Sequence, residues 1–244
     1  MILGDSKAGK TTSIRTLNPK TTVVISPLNK GLPFAGSGKN YTVWSKDKNP
    51  TGNIIRTSDS TAIVNWMNYI SSKMLDVRVI ILDDNTFVTA KALDRRREEK
   101  TFDKFTDIAH DFLLLAETAN SLREDLNVYI LHHVESEGDD ILTPKKIKAA
   151  SYGKMIDQKL HGMESQFEIV FLAVKIVDSD DKIVYKFKTR DANSTCGTPM
   201  NMFDEEFIDN DLEAIDQRIR CYYQDCQGEK EIPEELKPKT KQAN

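Results

Sequence analysis

Cysteine is scarce in this chain: three in 244 residues, Cys196, Cys221 and Cys226, with no C-x-x-C pair. An odd, unpaired set excludes a closed disulfide framework and suits a reducing cytosol. The paired ligand spacings of a zinc site are missing as well. No apolar run approaches the ~20 residues of a membrane span, and no signal peptide is visible. The expectation is a soluble cytoplasmic protein without a membrane partner. An excess of positive charge is also lacking. Thirty-four basic against 38 acidic side chains leave a net charge of −4, with an isoelectric point near 5.7. That excludes a generic polycation, so any contact with nucleic acid must come from local basic loops or from assembly. Internal repeats are absent. What remains, at 39% hydrophobic residues, can bury the core of one α/β domain.

Against this background the segment Gly4-Asp5-Ser6-Lys7-Ala8-Gly9-Lys10-Thr11 stands out, followed by Thr12. It reads G-x-x-x-x-G-K-T, the Walker A phosphate loop. The glycines let the backbone curl so that successive N–H groups face phosphate oxygens; Lys10 reaches the β/γ-phosphates, and Thr11 offers its hydroxyl to Mg²⁺. At ordinary residue frequencies the pattern arises by chance in about one chain in a hundred of this length. The strand-like Met1-Ile2-Leu3 before it and the helix start at Thr11 to Leu17 after it give the context the motif requires. That helix would add its positive dipole end to the site. Only three residues precede the loop, where a strand normally takes about five. Either the chain is trimmed at its N-terminus or the first strand is unusually short.

Periodicity places the other elements. Thr21–Ser26 is a β-branched strand, Pro27 to Asn40 a loop, and Tyr41–Trp44 and Asn53–Arg56 short strands. Asp59 caps a helix to about Met74, with Ile63, Val64, Met67 and Ile70 at helical spacing. Val77–Leu82 is a continuous apolar strand, as in a sheet covered on both faces. A helix spans roughly Phe102 to Glu124, and Asn127–Leu131 is the next buried strand. From Glu135 to Gln166 the pattern loosens and charge dominates. Phe167–Val177 and Ile183–Arg190 read as a hairpin turned at Ser179-Asp180-Asp181. Asp211–Tyr223 is a terminal helix, and the Pro-, Glu- and Lys-rich tail reads as disordered. The predicted organisation is an ATPase core over residues 1–225 and a tail over 226–244. Its fold class is α/β, a mostly parallel central sheet flanked by helices with a C-terminal β-hairpin.

A phosphate loop needs a carboxylate at the end of a neighbouring strand to hold Mg²⁺. Val79-Ile80-Ile81-Leu82-Asp83 supplies one, so Thr11 and Asp83 are the expected metal ligands. Asp84 stands where many such ATPases carry a glutamate that polarises the attacking water, although an aspartate is one methylene shorter. His132 and His133 close the next strand and face opposite ways. One of them senses the γ-phosphate, or the two form a hydrogen-bonded pair at a strand edge. Guanine-specific enzymes carry N-K-x-D, whereas Asn29-Lys30-Gly31-Leu32 lacks the aspartate; ATP is the expected nucleotide. The glycine-rich Gly36-Ser37-Gly38-Lys39 lacks a following Ser or Thr and reads as plain loop.

Together these residues resemble a family of bacteriophage ATPases with a minimal RecA-like core, which includes Sak-type single-strand annealing and recombination proteins. The landmarks are Gly4–Thr12, Asn29-Lys30-Gly31-Leu32-Pro33-Phe34, Asp83-Asp84, and His133 with Glu135. Gly153-Lys154-Met155-Ile156-Asp157 and Thr198-Pro199-Met200-Asn201-Met202-Phe203 complete the set, which covers the chain to about residue 215. The resemblance implies an ATP- and Mg²⁺-dependent ATPase in the host bacterial cytoplasm. Its implied partners are single-stranded DNA, further copies of itself in a ring or filament, and a single-strand-binding protein. It assigns catalysis to Lys10, Asp83, Asp84 and His133. Two departures matter. RecA-like enzymes usually hold a catalytic glutamate after the second strand, and Ser26–Lys30 has none. Members of the family place a lysine near the final T-P motif, where this chain has Cys196-Gly197. Lys188 or Arg190 is then the candidate finger acting in trans on a neighbour's nucleotide, or a charged solvent face. For DNA, Lys145, Lys146, Lys148, Lys154 and Lys159 are the candidates, with Tyr152 available for stacking. Acidic neighbours such as Glu135 and Glu137 leave a solvated linker as the other reading, and Arg95-Arg96-Arg97 is a weaker basic patch. An ATPase that loads or regulates a protein partner, never gripping DNA, is the competing function. A small-molecule kinase would bring an arginine-rich lid, of which the sequence gives no clear sign.

Overall fold

A computed structural model of the protein describes residues 1–101, 103–137, 146–151 and 162–224. The sheet is built from β1 (Ile2–Gly4), β2 (Thr22–Ser26), β3 (Ile54–Arg56), β4 (Val79–Leu82), β5 (Asn127–His132), β8 (Phe171–Val177), β9 (Ile183–Lys188) and β10 (Phe207–Asp209). Its order is β10-β9-β8-β1-β5-β4-β2-β3. The six strands from β3 to β8 run parallel, and β9 and β10 continue antiparallel. β6 (Val134–Glu137) and β7 (Lys146–Ala149) form a separate antiparallel ribbon. The chain is thus α/β with a mostly parallel central sheet. Helices α2 (Ser60–Lys73) and α4 (Asp103–Ser121) cover one face, and α5 (Leu212–Tyr223) the other; α1 (Ser37–Asn40) and α3 (Thr86–Arg95) are shorter. No helix among the described residues is long and apolar enough to cross a membrane.

Alternation along the strands assigns each side chain to a layer. Val24, Val79, Ile81, Tyr129 and Leu131 pack with Ile14 of the segment after β1 and with Leu212, Ile215 and Ile219 of α5. Their neighbours Val23, Ile25, Ile80, Leu82 and Ile130 pack against Ile63, Met67 and Ile70 of α2 and Leu115 of α4. Because both faces are covered, β2, β4 and β5 read as nearly unbroken apolar runs. The cap anticipated at Asp59 is formed, accepting from the Ala62 N–H at 2.8 Å, and Asp211 caps α5 in the same way, accepting from the Ala214 N–H at 3.1 Å.

Three expectations are corrected. The helix starting at Thr11 is a six-residue 3₁₀ helix, Thr11–Thr16, whose C-cap Leu17 is already extended. Asn18 precedes Pro19, and that bars the helical region at Asn18. Tyr41–Trp44 makes only an isolated bridge from Val43 to Ile54. The region after Glu135 holds the β6–β7 ribbon rather than a structureless stretch. The first strand is short, Ile2–Gly4, yet it pairs with both β5 and β8.

Candidate functional site

Four segments converge at the C-terminal ends of the parallel strands: the Gly4–Thr11 loop after β1, Lys30 beyond β2, Asp83-Asp84 after β4, and His133 after β5. This rim is where open parallel sheets bind ligands. β5 separates β1 from β4 in the sheet. Even so, Thr11 Oγ1 donates to Asp83 Oδ1 at 2.8 Å across 72 positions of sequence. Asp83 is 1% exposed, and its N–H is bonded to the Ile25 carbonyl at 2.9 Å, which fixes it to β2.

The loop's shape needs its glycines. Gly4 has φ +155° and Gly9 φ +96°, and Lys7 is also left-handed at φ 63°. A Cβ on Gly4 would meet the Ala173 carbonyl oxygen at 2.8 Å, and one on Gly9 would meet the Tyr185 ring at 2.9 Å. Both substitutions would therefore force the backbone to shift. Lys10 is 5% exposed and folds back onto the loop, donating to the carbonyls of Gly4 at 2.6 Å and Asp5 at 2.9 Å. Burial lowers its pKa to about 8, against the pull of Asp84 and Asp83. Bound phosphate would replace two neutral acceptors with an anion, which suits an ammonium already stripped of water.

The two acids are held differently. Burial, then the adjacent Asp84 charge, push Asp83 up to about 6. Burial also works to raise Asp84, but hydrogen bonds from His133 and Lys30 outweigh it and hold that carboxyl at about 2. Asp84 sits at φ 53°, a left-handed conformation that aspartate tolerates. Its carboxylate contacts Lys30 Nζ, and its other oxygen lies 3.5 Å from His133 Nε2. His133 Nδ1 is in turn 3.4 Å from Lys10 Nζ. A protonated Nε2 satisfies both contacts, with Lys10 donating to Nδ1. The contacts thus run in series from Lys30 through Asp84 and His133 to Lys10 of the loop. His132 turns the other way into the core. Its Nε2 donates to the Ala150 carbonyl at 2.8 Å, Nδ1 lies 3.2 Å from Asn85 Nδ2, and burial lowers its pKa to about 4. Of the two histidines only His133 joins the site.

The remaining expected residues lie as follows. Asp5, Ser6 and Lys7 form the exposed crest of the loop, with Ala8 buried below it. Thr12 follows Thr11 into the 3₁₀ helix. Lys188 Nζ sits 3.3 Å from Asp191 and 3.4 Å from Glu206; burial opposes these contacts, but they raise its pKa overall. It is occupied within its own subunit. Arg190 is exposed and, among the described residues, donates to the backbone carbonyls of Phe203 and Asp204, contacts that do not neutralise its charge. On β7, Lys146 is exposed, whereas Lys148 is paired with Glu135 and Glu137 at 3.4 and 3.1 Å. Lys145, Tyr152, Lys154 and Lys159 lie outside the described residues, as does the 226–244 tail.

Sequence reasoning missed two residues. Lys30 stands after β2, where the expected glutamate is missing. Asn210 donates from Nδ2 to the Gly9 carbonyl at 3.2 Å and accepts from Arg15 at 2.7 Å, clamping the loop from the β10–α5 connection. Neither belongs to the phosphate-loop motif. Only the position of Lys30 beyond an apolar strand hinted at a role. No family model matches the chain, and no curated protein matches it.

Proposed function

We propose that this chain is a P-loop ATPase of RecA-like architecture that binds and hydrolyses ATP in single-stranded DNA recombination or annealing. The observation that carries the ATPase reading is the 2.8 Å bond between Thr11 and Asp83. Two motifs legible only as separate sequence patterns meet where Mg²⁺ would need both. Thr11 and Asp83 would hold the ion, which neutralises charge on the β- and γ-phosphates when bound. Lys10 leaves the Gly4 and Asp5 carbonyls for the phosphates, and the loop N–H groups orient them. Asp84 is the general base: its low pKa keeps it ionised at neutral pH, and His133 holds it in place. The strong counter-contacts that keep it ionised also make it a weak base, consistent with slow turnover.

The DNA part of the reading rests on the family resemblance. The β6–β7 ribbon supports it by position, because the Ala150 N–H donates to the His133 carbonyl at 2.8 Å at the ribbon's base. His133 is thereby joined through the backbone to the end of the strand that carries Lys146 and Lys148. The second reading, an ATPase that loads or regulates a protein partner, is favoured by the acidic net charge and by the pairing of Lys148 with two glutamates. The separating experiment measures ATP hydrolysis with and without single-stranded DNA, with Lys10→Ala as blank. Stimulation by DNA supports recombination. Turnover indifferent to DNA supports the protein-directed ATPase, and ATP affinity retained in Lys10→Ala would sink the nucleotide site itself.

A further inference from the structure

Asp84 is buried, and the charged partners that hold it come from two other strands: His133 after β5 and Lys30 after β2. The Lys30 contact joins a fixed backbone to a movable head. Arg56 donates to the carbonyls of Leu28 and Lys30, and Lys91 to that of Pro27, so the chain after β2 is tied to β3 and α3. Asp84 is equally fixed, its carbonyl accepting from the Phe87 N–H at 2.9 Å. The Lys30 side chain, by contrast, is 50% exposed while that of Asp84 is 4% exposed. The register Ile25↔Leu82 sets the end of β2 beside the end of β4, so the ammonium reaches Asp84 from the β2 side, at the same strand-end rim as the Gly4–Thr11 loop.

Charge at the rim explains what such a head is for. Lys10 and Lys30 balance Asp83 and Asp84, and Lys30 is among the charges that bear on Lys10 and on Asp83. A nucleoside triphosphate brings anionic oxygens into this balanced set. An ammonium that leaves a single carboxylate for the more highly charged terminal phosphate gains a stronger charge-assisted bond, and that difference is what it adds to triphosphate affinity. A nucleoside diphosphate, lacking the terminal group, offers the half-exposed Lys30 less to move toward.

We infer that Lys30 is a γ-phosphate-sensing residue, held on Asp84 and drawn from it to the terminal phosphate of a nucleoside triphosphate. This rests on the ATP-site reading above. The move does two things together: it reports the triphosphate, and it releases Asp84 from its tightest counter-ion when a base is needed.

The experiment is calorimetric titration of the full chain with Mg²⁺–ADP and with the non-hydrolysable Mg²⁺–β,γ-imido-ATP. In Lys30→Met the triphosphate affinity should fall about tenfold, the loss of one charge-assisted contact, with ADP affinity held within about twofold. Lys30→Arg, which keeps the charge, should restore most of the preference. Asp84→Asn, which empties the store, should bind the triphosphate more tightly than wild type. An unchanged triphosphate-to-diphosphate ratio in Lys30→Met overturns the inference and leaves the ATP site standing; so does an equal loss of both affinities, which would mean general damage to the loop. Wild-type protein that binds neither nucleotide overturns the ATP-site reading and this inference with it.

Discussion

Asp83 and Asp84 are neighbours in sequence, yet their surroundings drive their protonation apart. Asp84 faces Lys30 and His133. Asp83 faces a hydroxyl and the back of another acid, and its pKa is raised to about 6. The linkage sign follows from that direction. Below an ordinary carboxylate pKa both folded and unfolded chains are protonated at Asp83, and no cost arises. Above pH 6 the folded chain carries a buried charge that the unfolded chain would solvate, so Asp83 destabilises the empty protein at neutral and alkaline pH. Asp83→Asn keeps an oxygen for Thr11 and removes that charge. The variant should be more stable than wild type at pH 8 by on the order of 1–3 kcal/mol, with the gain fading toward pH 4. Its Mg²⁺-dependent ATP hydrolysis should be lost. Thermal melts across that pH range check the first part and a turnover assay the second. A variant no more stable at pH 8 would show that the burial cost of Asp83 is met in some other way.

At the scale of elements, the β6–β7 ribbon poses the sharpest question, because it carries the described lysines offered as DNA contacts while neutralising one of them. Replacing Lys146 and Lys148 with alanine leaves the sheet untouched. If the ribbon grips single-stranded DNA, affinity should fall and the slope of log affinity against log salt should flatten by about 0.7 per lost phosphate contact. Binding isotherms at several salt concentrations read both quantities, and an unchanged slope would remove the ribbon from the DNA interface. That the ribbon went unrecognised in the sequence has a physical cause. Val134, Ile147 and Ala149 pack one face of the ribbon on the core while Glu135 and Lys148 pair on the other, but each strand is only four residues long, too short for its alternation to stand out from charged surroundings. Helix α3 was missed for a related reason: among its residues only Thr86, Val88 and Thr89 are buried, and Asn85 gives no side-chain cap. By contrast α2 and α5 carry both a capping aspartate and helical spacing, and β4 is wholly buried. The site divides in the same way. Lys10, Thr11, Asp83, Asp84 and His133 were legible because their spacing follows from phosphate and metal chemistry. Lys30 and Asn210 act through tertiary placement, which no local spacing encodes.

For the whole molecule, the question is whether one chain makes a complete site. Within a single subunit the described cations at the strand-end rim include Lys10 and Lys30, with the exposed Lys7 on the loop crest and Arg15 tied to Asn210, while Lys188 is already spent on Asp191 and Glu206. Arg190, exposed and bonded among the described residues through its guanidinium to carbonyl oxygens, is the better candidate for the finger. If subunits assemble head to tail, each nucleotide meets the Arg190 of a neighbour across a heterologous interface. Two inactive variants then become informative together. Lys10→Ala cannot bind nucleotide but still presents Arg190. Arg190→Ala binds nucleotide normally and turns it over slowly, because the transition-state charge lacks its partner. Mixed in equal amounts, they should restore hydrolysis at about a quarter of the interfaces, those pairing an intact loop with an intact finger. The recovery should grow with protein concentration as assembly does. Activity measured for each variant alone and for the mixture decides the matter. A mixture no more active than the sum of its parts would place the finger in the same subunit as the loop, or remove Arg190 from the site altogether.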